Sequence, residues 1–243
     1  MIGNEDHHLL ELEIDTIFGL ASTSPGEQPR LAKSDVAAVF GWSPNARVLA
    51  LSATAAELVD VLDLDIAEDF SPQSEPAVVT RVKNRLLDRA GPKVPLTVAG
   101  GPSYVFPSSV EDPPHVSLPI VVSDDAGLSQ ARGFVRPDNW EVGEWSQLIS
   151  GEIGPWAMAM DDLEPVSICH TPAATPNSAE AGVWTRPDHR GAGLAAAVTV
   201  GWWKLERPHR EVIFYSTDRD NLASRSVAGK LGLLHLGWLW TIK

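Results

Sequence analysis

A glycine-containing segment near the C-terminal end, Arg190-Gly191-Ala192-Gly193-Leu194-Ala195, constrains the fold more than any other part of the chain. The apolar run 181–185 before it predicts a β-strand, and the amphipathic run after it, up to Glu206, predicts a helix. Because glycine and alanine carry little or no side chain, the backbone N–H groups that begin this helix stay uncovered. Such a helix N-terminus carries about half a positive charge and several unpaired donors, so the turn predicts an anion site suited to a diphosphate.

Apolar periodicity predicts a regular succession of elements in the C-terminal half. The predicted elements are, in order, strands 156–160 and 166–170 joined by a turn at Asp161-Asp162, strand 181–185, a helix to Glu206, strand 212–217, helix 221–231 and an alternating strand ending at Ile242. The order β-β-β-α-β-α-β predicts a mixed α/β sheet with helices packed on it.

The N-terminal half predicts helices and strands but no recognisable chemistry. Ser52 predicts a capped helix start followed by a helix over 58–64, and the apolar spacing over 75–90 predicts a second helix. Two apolar runs within 95–106, around Gly100-Gly101-Pro102, predict a hairpin.

A polar, proline-containing stretch over 107–114 predicts a domain boundary. We therefore expect an N-terminal α/β region of unclear role over 1–112 and a separate domain over 113–243.

Composition and charge exclude several classes of protein. The net charge is −13, which argues against a nucleic-acid-binding surface. A single cysteine, Cys169, excludes an internal disulfide and a cysteine-based zinc site, and we expect no metal. The polar N-terminus has no signal-peptide pattern and no apolar run is long enough to span a membrane, so we expect a cytoplasmic protein without a membrane partner.

Three interpretations of the glycine turn compete. Such a turn can merely let a helix pack closely on a sheet. The sequence from Gly191 to Ala196 also fits the G-x-G-x-x-A fingerprint of dinucleotide-binding folds. That fingerprint requires the first glycine directly after the strand, whereas polar residues 186–190 intervene here. The third interpretation is a coenzyme A site.

The segment 181–195 resembles the acyl-CoA-binding motif of the GNAT N-acetyltransferase superfamily. The family pattern R/Q-x-x-G-x-G/A is matched by Arg190, Gly193 and Ala195. The segment 220–233 resembles a second family pattern, N-x-x-[AS]…K-L-G-F, through Asn221, Ser224 and Lys230-Leu231-Gly232, and the resemblance covers about residues 115–243.

The resemblance implies a GNAT-type mixed, mostly antiparallel splayed sheet flanked by helices, with an additional N-terminal α/β region. It also implies acetyl-CoA as co-substrate, with its diphosphate on the glycine turn and its pantetheine arm along the preceding strand. The residues that it assigns to CoA binding are Val183, Trp184, Thr185, Arg190, Gly191, Ala192, Gly193, Leu194, Ala195, Asn221 and Ser224.

Acyl transfer from a thioester to an amine requires a base that frees the amine lone pair. Glu180, at the start of the strand that would carry the acyl group, is our candidate, with His170 and Glu152 as alternatives. Many members of the family have a tyrosine that acts as general acid at the position where this chain has Ala228. We therefore take Tyr215 on the neighbouring strand as the candidate acid, with Ser216 as the next candidate.

We therefore predict an N-acetyltransferase that transfers acetyl to a primary amine of a small molecule by direct attack in a ternary complex. A non-catalytic acyl-CoA-binding module and a protein or peptide N-acetyltransferase remain alternatives, and a homodimer is possible. Trp140, Trp145 and Trp156 either wall the acceptor pocket or belong to the core. Cys169 is expected to pack in the core.

Overall fold

The computed structural model of the chain describes residues 2–21, 28–32, 35–61, 64, 69–71, 74–90, 95–113 and 115–243. Within them the chain forms seven helices and eleven strands. The helices are α1 (Ile2–Phe18), α2 (Ala53–Leu58), α3 (Ala77–Ala90), α4 (Asp125–Ala131), α5 (Val142–Ile149), α6 (Leu194–Glu206) and α7 (Leu222–Lys230). The strands are β1 (Leu20–Ala21), β2 (Arg30–Leu31), β3 (Ala38–Trp42), β4 (Arg47–Ser52), β5 (Val98–Val105), β6 (Ile120–Val122), β7 (Trp156–Asp161), β8 (Glu164–Ala174), β9 (Ser178–Thr185), β10 (Val212–Ser216) and β11 (Leu234–Ile242).

The chain divides into two compact units. The first contains Met1–Tyr104, Ser216–Leu222 and His235–Lys243, and the second contains Val105–Tyr215 and Ala223–Leu234. The division into domains at residues 112 and 113 stays a prediction.

In the first unit, a sheet has helices on both faces. Its strands run in the order β1-β2-β4-β3-β11-β5. The pair β2–β4 is parallel, and the pairs β1–β2, β3–β4 and β3–β11 are antiparallel. Side chains from β3, β4 and β11, with Trp42 and Trp240 among the largest, form a buried core with α2 and α3. On the opposite face, Leu10 and Ile14 of α1 approach Gly41 to within 3.3 Å of where a β-carbon would lie.

Two helix predictions for this unit have different outcomes. The helix over 75–90 is confirmed as α3, and Ser52 is the N-cap of α2, its side chain accepting a hydrogen bond from the Ala55 N–H at 3.2 Å. The helix predicted over 58–64 does not continue from α2, because α2 begins directly after its cap and ends at Leu58. Residues 62 and 63 of this prediction lie outside the described residues. The next residue, β-branched Val59, has extended backbone angles.

The hairpin predicted around Gly100-Gly101-Pro102 is also wrong, because these residues lie within the single strand β5. A β-carbon at Gly100 would lie 2.4 Å from the Trp240 ring, and one at Gly101 would lie 1.7 Å from the Thr217 carbonyl oxygen. These glycines therefore permit close packing against a strand rather than a turn.

The second unit contains the sheet β10-β9-β8-β7-β6, in which β10 and β9 are parallel and the other pairs are antiparallel. The predicted hairpin over 156–170 is confirmed as β7 and β8, with Asp162 in the turn at a φ of 53°. The predicted order β-β-β-α-β-α-β is confirmed as β7 to β11 with α6 and α7. The predicted fold class, a mixed and mostly antiparallel α/β fold, is confirmed.

The two faces of this second sheet are covered by different helices. Helix α6 covers one face, where the Cys169 thiol is hydrogen-bonded to Thr199; we call this the α6 face. On the other face, Trp156 and Ile168 form a buried cluster with Trp145 of α5. We call this the α5 face.

Candidate functional site

The parallel pairing of β9 with β10 stops partway along both strands. Val212, Ile213 and Phe214 pair with Ser178, Ala179 and Glu180, and no further pair follows within the described residues. Strand β9 continues to Thr185, still paired with β8. A gap therefore opens between residues 181–185 and the end of β10, and we call this gap the cleft.

The side of β9 that borders the cleft is accessible. Residues 178–181 are buried, whereas Gly182 to Thr185 are only partly buried. Because the backbone groups of a strand point alternately to both sides, those turned away from β8 face the cleft. An extended ligand can therefore add to β9 as a further strand would.

Strand β9 leads through a short 3₁₀ turn, Pro187–His189, into the glycine turn. Gly191 and Gly193 have φ angles of 83° and 80°, which side-chain-bearing residues seldom adopt, and Gly193 is the N-cap of α6. No side chain caps this helix, and its first turn holds no acidic residue.

The space around the glycine turn is open. A β-carbon at Gly191 would meet nothing within 4 Å, and one at Gly193 would have only Val116 near it, at 3.7 Å. Residues 190–192 are exposed. This N-terminus of α6 therefore offers backbone donors and a positive dipole end to an anion.

Two arginines flank the turn in different ways. Arg186 is held by protein groups, donating to Asp188 at 2.8 Å and to Glu164 at 2.9 Å. The hydrogen bond between Arg186 and Asp188 raises the pKa of the guanidinium and lowers the pKa of the carboxyl. Arg190 is exposed, and its Nε donates to the Thr185 carbonyl at 3.3 Å. Of these two, Arg190 is the guanidinium placed to meet an anion at the turn.

Glu180 lies where the pairing ends. It is 6% exposed and is level with Phe214 in the parallel ladder, so these two side chains share a face. Because side chains alternate along β9, Glu180 shares the α5 face with Gly182, the pairing partner of His170. The carboxylate therefore adjoins the cleft from the α5 face.

Tyr215 and Ser224, which the sequence assigned to different roles, lie together. The Tyr215 hydroxyl is 2.6 Å from Ser224 Oγ, and the tyrosine is 1% exposed. Its ring packs against Phe106, which in turn packs against Trp202 of α6. Tyr215 therefore lies on the α6 face, opposite to Glu180.

His170 lies over β9 at the start of the cleft. Its Nδ1 is 3.1 Å from the Gly182 carbonyl oxygen, and its ring packs edge-on against Trp140, with 5.0 Å between centroids. A β-carbon at Gly182 would lie 2.6 Å from His170 Cε1, so only glycine admits the ring in this position. Burial lowers the pKa of His170 to about 4. Gly182, a glycine inside a predicted strand, is the sequence feature that indicates the close approach of the His170 ring.

The other candidates lie outside this arrangement. Cys169 is fully buried on the α6 face, and burial raises the pKa of its thiol. Trp156 is fully buried in the core, Glu152 is exposed, and Trp140 and Trp145 belong to the buried cluster. Asn221 belongs to the first compact unit, is exposed, and donates its backbone N–H to the Asp218 carbonyl at 3.0 Å.

A cavity of about 430 Å³ opens beside Trp184, farther along the same face of β9. Asp138, Pro137 and Pro165 contribute to its walls. In the part of the chain that the structure describes, no group of three or more potential metal ligands occurs, and no helix is long and apolar enough to cross a membrane.

Comparison with known proteins identifies the class of this site. Residues 117–234 match the family model of the acetyltransferase (GNAT) domain. Residues 117–234 therefore form a GNAT acetyltransferase domain. The family implies acetyl-CoA as co-substrate. A comparison with curated proteins gave no match.

Solved structures of GNAT proteins are similar at low identity. A GNAT-family structure from Novosphingobium aromaticivorans is 18% identical over 99% of this chain and 94% of its own, with a TM-score of 0.47. An acetyltransferase from Colwellia psychrerythraea is 13% identical over 61% of this chain, with a TM-score of 0.45, and the match spans 57% of its length. A tandem GNAT protein from the clavulanic acid biosynthesis pathway is 14% identical over 71% of this chain and 60% of its own, with a TM-score of 0.44. The family assignment rests on the domain match.

Proposed function

We propose that the protein transfers an acetyl group from acetyl-CoA to a primary amine of a small molecule, by direct attack in a ternary complex. The observation that carries the proposal is the end of the β9–β10 pairing at Glu180, in the strand that leads into the uncapped glycine turn. One strand thus connects an anion site with an opening in the sheet that a carboxylate adjoins.

The residues present fit acetyl-CoA. The backbone N–H groups of residues 191–195 would bind the diphosphate, with Arg190 beside them, since no side chain caps α6 there. Val183, Trp184 and Thr185 would pair with the pantetheine arm through their backbone. Ser224 and Asn221 remain proposed contacts on the basis of the family motif. When bound, acetyl-CoA supplies an activated acyl group.

The chain's own residues would move two protons. Glu180 would accept a proton from the ammonium form of the substrate, so that the nitrogen lone pair can attack the carbonyl carbon. The new C–N bond forms as the C–S bond breaks, and Tyr215 would donate its proton to the departing sulfur from the α6 face. The nitrogen, which becomes cationic on acylation, would lose its second proton through water to Tyr215, and Glu180 would release the first proton to water. The products are the amide, free CoA and one proton released to water. The cavity beside Trp184 gives the rest of the acceptor a place on the α5 face.

Calorimetry with acetyl-CoA and three glycine variants tests this proposal. Gly193→Glu places a carboxylate at the proposed diphosphate position and should abolish binding, whereas Gly193→Ala introduces only backbone strain. Gly143→Glu is the matched control, because Gly143 has open space and lies in the first turn of α5. Unchanged affinity in Gly193→Glu, or no binding by the wild-type protein at millimolar acetyl-CoA, would refute the proposed site.

A non-catalytic acyl-CoA-binding module is the second candidate. It is favoured by the fully buried Ala228 at the position where the family often has its acidic tyrosine. CoA release with a panel of primary amines distinguishes the two: turnover that is lost in Glu180→Gln favours the enzyme, and binding without turnover favours the module. The cytoplasmic location and the homodimer stay predictions.

A further inference from the structure

We infer that His170 is a second hydrogen-bond acceptor for the substrate amine, holding one N–H of the amine through Nε2 while Glu180 takes the proton. The inference rests on the proposed function, because it requires the amine to reach the cleft from the α5 face. It is carried by the contact of the His170 ring with Gly182, two residues beyond Glu180 on the same strand.

The hydrogen bond to Gly182 determines which ring nitrogen carries the proton. A carbonyl oxygen can only accept, so Nδ1 of His170 must be the donor at the observed 3.1 Å. A neutral imidazole has one N–H, and Nε2 is therefore left with its lone pair. Nε2 has no hydrogen-bond partner among the described residues. Because burial lowers the pKa of His170 to about 4, the ring remains neutral, and Nε2 an acceptor, near pH 7.

The ring lies over the residue of β9 at which the cleft opens. Gly182 is the first partly buried residue of β9, just where the cleft opens. Glu180 and Gly182 share a face and lie about 7 Å apart along the strand, from the rise per residue. A primary ammonium that enters between them can give one N–H to Glu180 and another to His170. After the proton has moved to Glu180, the bond to Nε2 still orients the amine.

The tautomer can be tested on the wild-type protein without any substrate. Long-range ¹H–¹⁵N correlation spectra at pH 7, with the His170 signals assigned by comparison with His170→Phe, should show the Nδ1–H form. A His170 ring protonated at Nε2, or at both nitrogens, would overturn the inference. The spectra test the tautomer even if His170→Phe folds too poorly for kinetics. In that case Gly182→Ala serves for the signal assignment, because its β-carbon would displace the His170 ring.

The role in catalysis is tested by steady-state kinetics of CoA release, with benzylamine, phenethylamine, propylamine and 1,4-diaminobutane as probes. For the best probe, His170→Phe should raise the KM of the amine by about tenfold, corresponding to one lost hydrogen bond, and should change kcat by less than about threefold. Glu180→Gln should instead lower kcat. A lower kcat with an unchanged KM in His170→Phe would indicate a structural role and overturn the inference.

Binding of acetyl-CoA separates failure of this inference from failure of the proposed function. His170→Phe should bind acetyl-CoA with wild-type affinity in calorimetry, since the ring lies on the face opposite to α6. If the wild-type protein binds acetyl-CoA but releases CoA with none of the four amines, the inference is overturned while the CoA site stands. If acetyl-CoA does not bind at all, the proposed function fails.

Discussion

The buried imidazole of His170 should make the stability of the protein depend on pH. Burial lowers the pKa of His170 from its ordinary value of about 6.5 to about 4 in the folded protein. The ring is buried against Trp140 and Gly182. Between these two values the unfolded chain binds a proton that the folded protein does not. Acidification therefore favours the unfolded chain, and this stability is lost as the pH falls from about 6.5 to about 4.

The magnitude follows from the difference between the two pKa values. At about 1.4 kcal/mol per pKa unit, His170 contributes about 3 kcal/mol to the pH dependence of the unfolding free energy. About 2 kcal/mol of this stability is lost between pH 7 and pH 5. In His170→Phe, the ring contact with Trp140 is kept but the titrating group is gone. The variant should therefore lose about 2 kcal/mol less than the wild-type protein over this pH range.

Urea unfolding at pH 7 and pH 5 measures this difference. Trp140 touches the His170 ring, so tryptophan fluorescence reports on the site, and circular dichroism should give coincident transitions if the unfolding is two-state. His115→Phe is the control for the substitution itself, because His115 is exposed. Equal losses of stability in wild-type protein and His170→Phe would refute the reasoning.

Two further predictions concern buried contacts, the first a hydrogen-bonded hydroxyl and the second a closely packed glycine. Thr171→Val should destabilise the protein by about 2 to 4 kcal/mol in urea unfolding, because the buried Thr171 hydroxyl donates to Glu206 at 2.6 Å and accepts from Trp202 at 2.9 Å. A loss below about 1 kcal/mol would contradict this account of the hydrogen bonds. Gly101→Ala should destabilise by about 3 kcal/mol or lower the soluble yield, since its β-carbon would collide with the Thr217 carbonyl at 1.7 Å. Wild-type thermal stability in Gly101→Ala would contradict this account, because it would show that the backbone at Thr217 moves away from Gly101 at little cost.

Features that depend on neighbouring residues could be predicted from the sequence. The turn at Gly191 and Gly193, the helix after it and the hairpin around Asp162 all follow from local rules of backbone conformation and apolar periodicity. The same rules failed at Gly100-Gly101, because a glycine in a strand and a glycine in a turn look alike until the packing partner is known. Here the partners, Trp240 and Thr217, lie far away in the sequence.

The details of the site depend on contacts that the sequence pattern does not contain. The end of the β9–β10 pairing at Glu180 is set by how two whole strands diverge. The contact of Tyr215 with Ser224 joins β10 to α7, and the position of His170 over Gly182 joins β8 to β9. Sequence reasoning named Glu180, Tyr215 and Ser224 as candidates, but the tertiary structure was needed to assign Glu180 and Tyr215 to opposite faces.

This two-sided arrangement favours direct transfer over a covalent acyl-enzyme. Acetyl-CoA held at the N-terminus of α6 would bring its sulfur toward Tyr215 on the α6 face, while the amine would arrive beside Glu180 and His170 on the α5 face. Both substrates can then occupy the cleft at once. A ping-pong route would need a nucleophile such as a thiolate, but Cys169, the one cysteine of the chain, is fully buried and its pKa is raised by that burial. Its thiol therefore has neither the access nor the charge to accept the acyl group, whereas the proposed direct attack by the amine requires no such nucleophile.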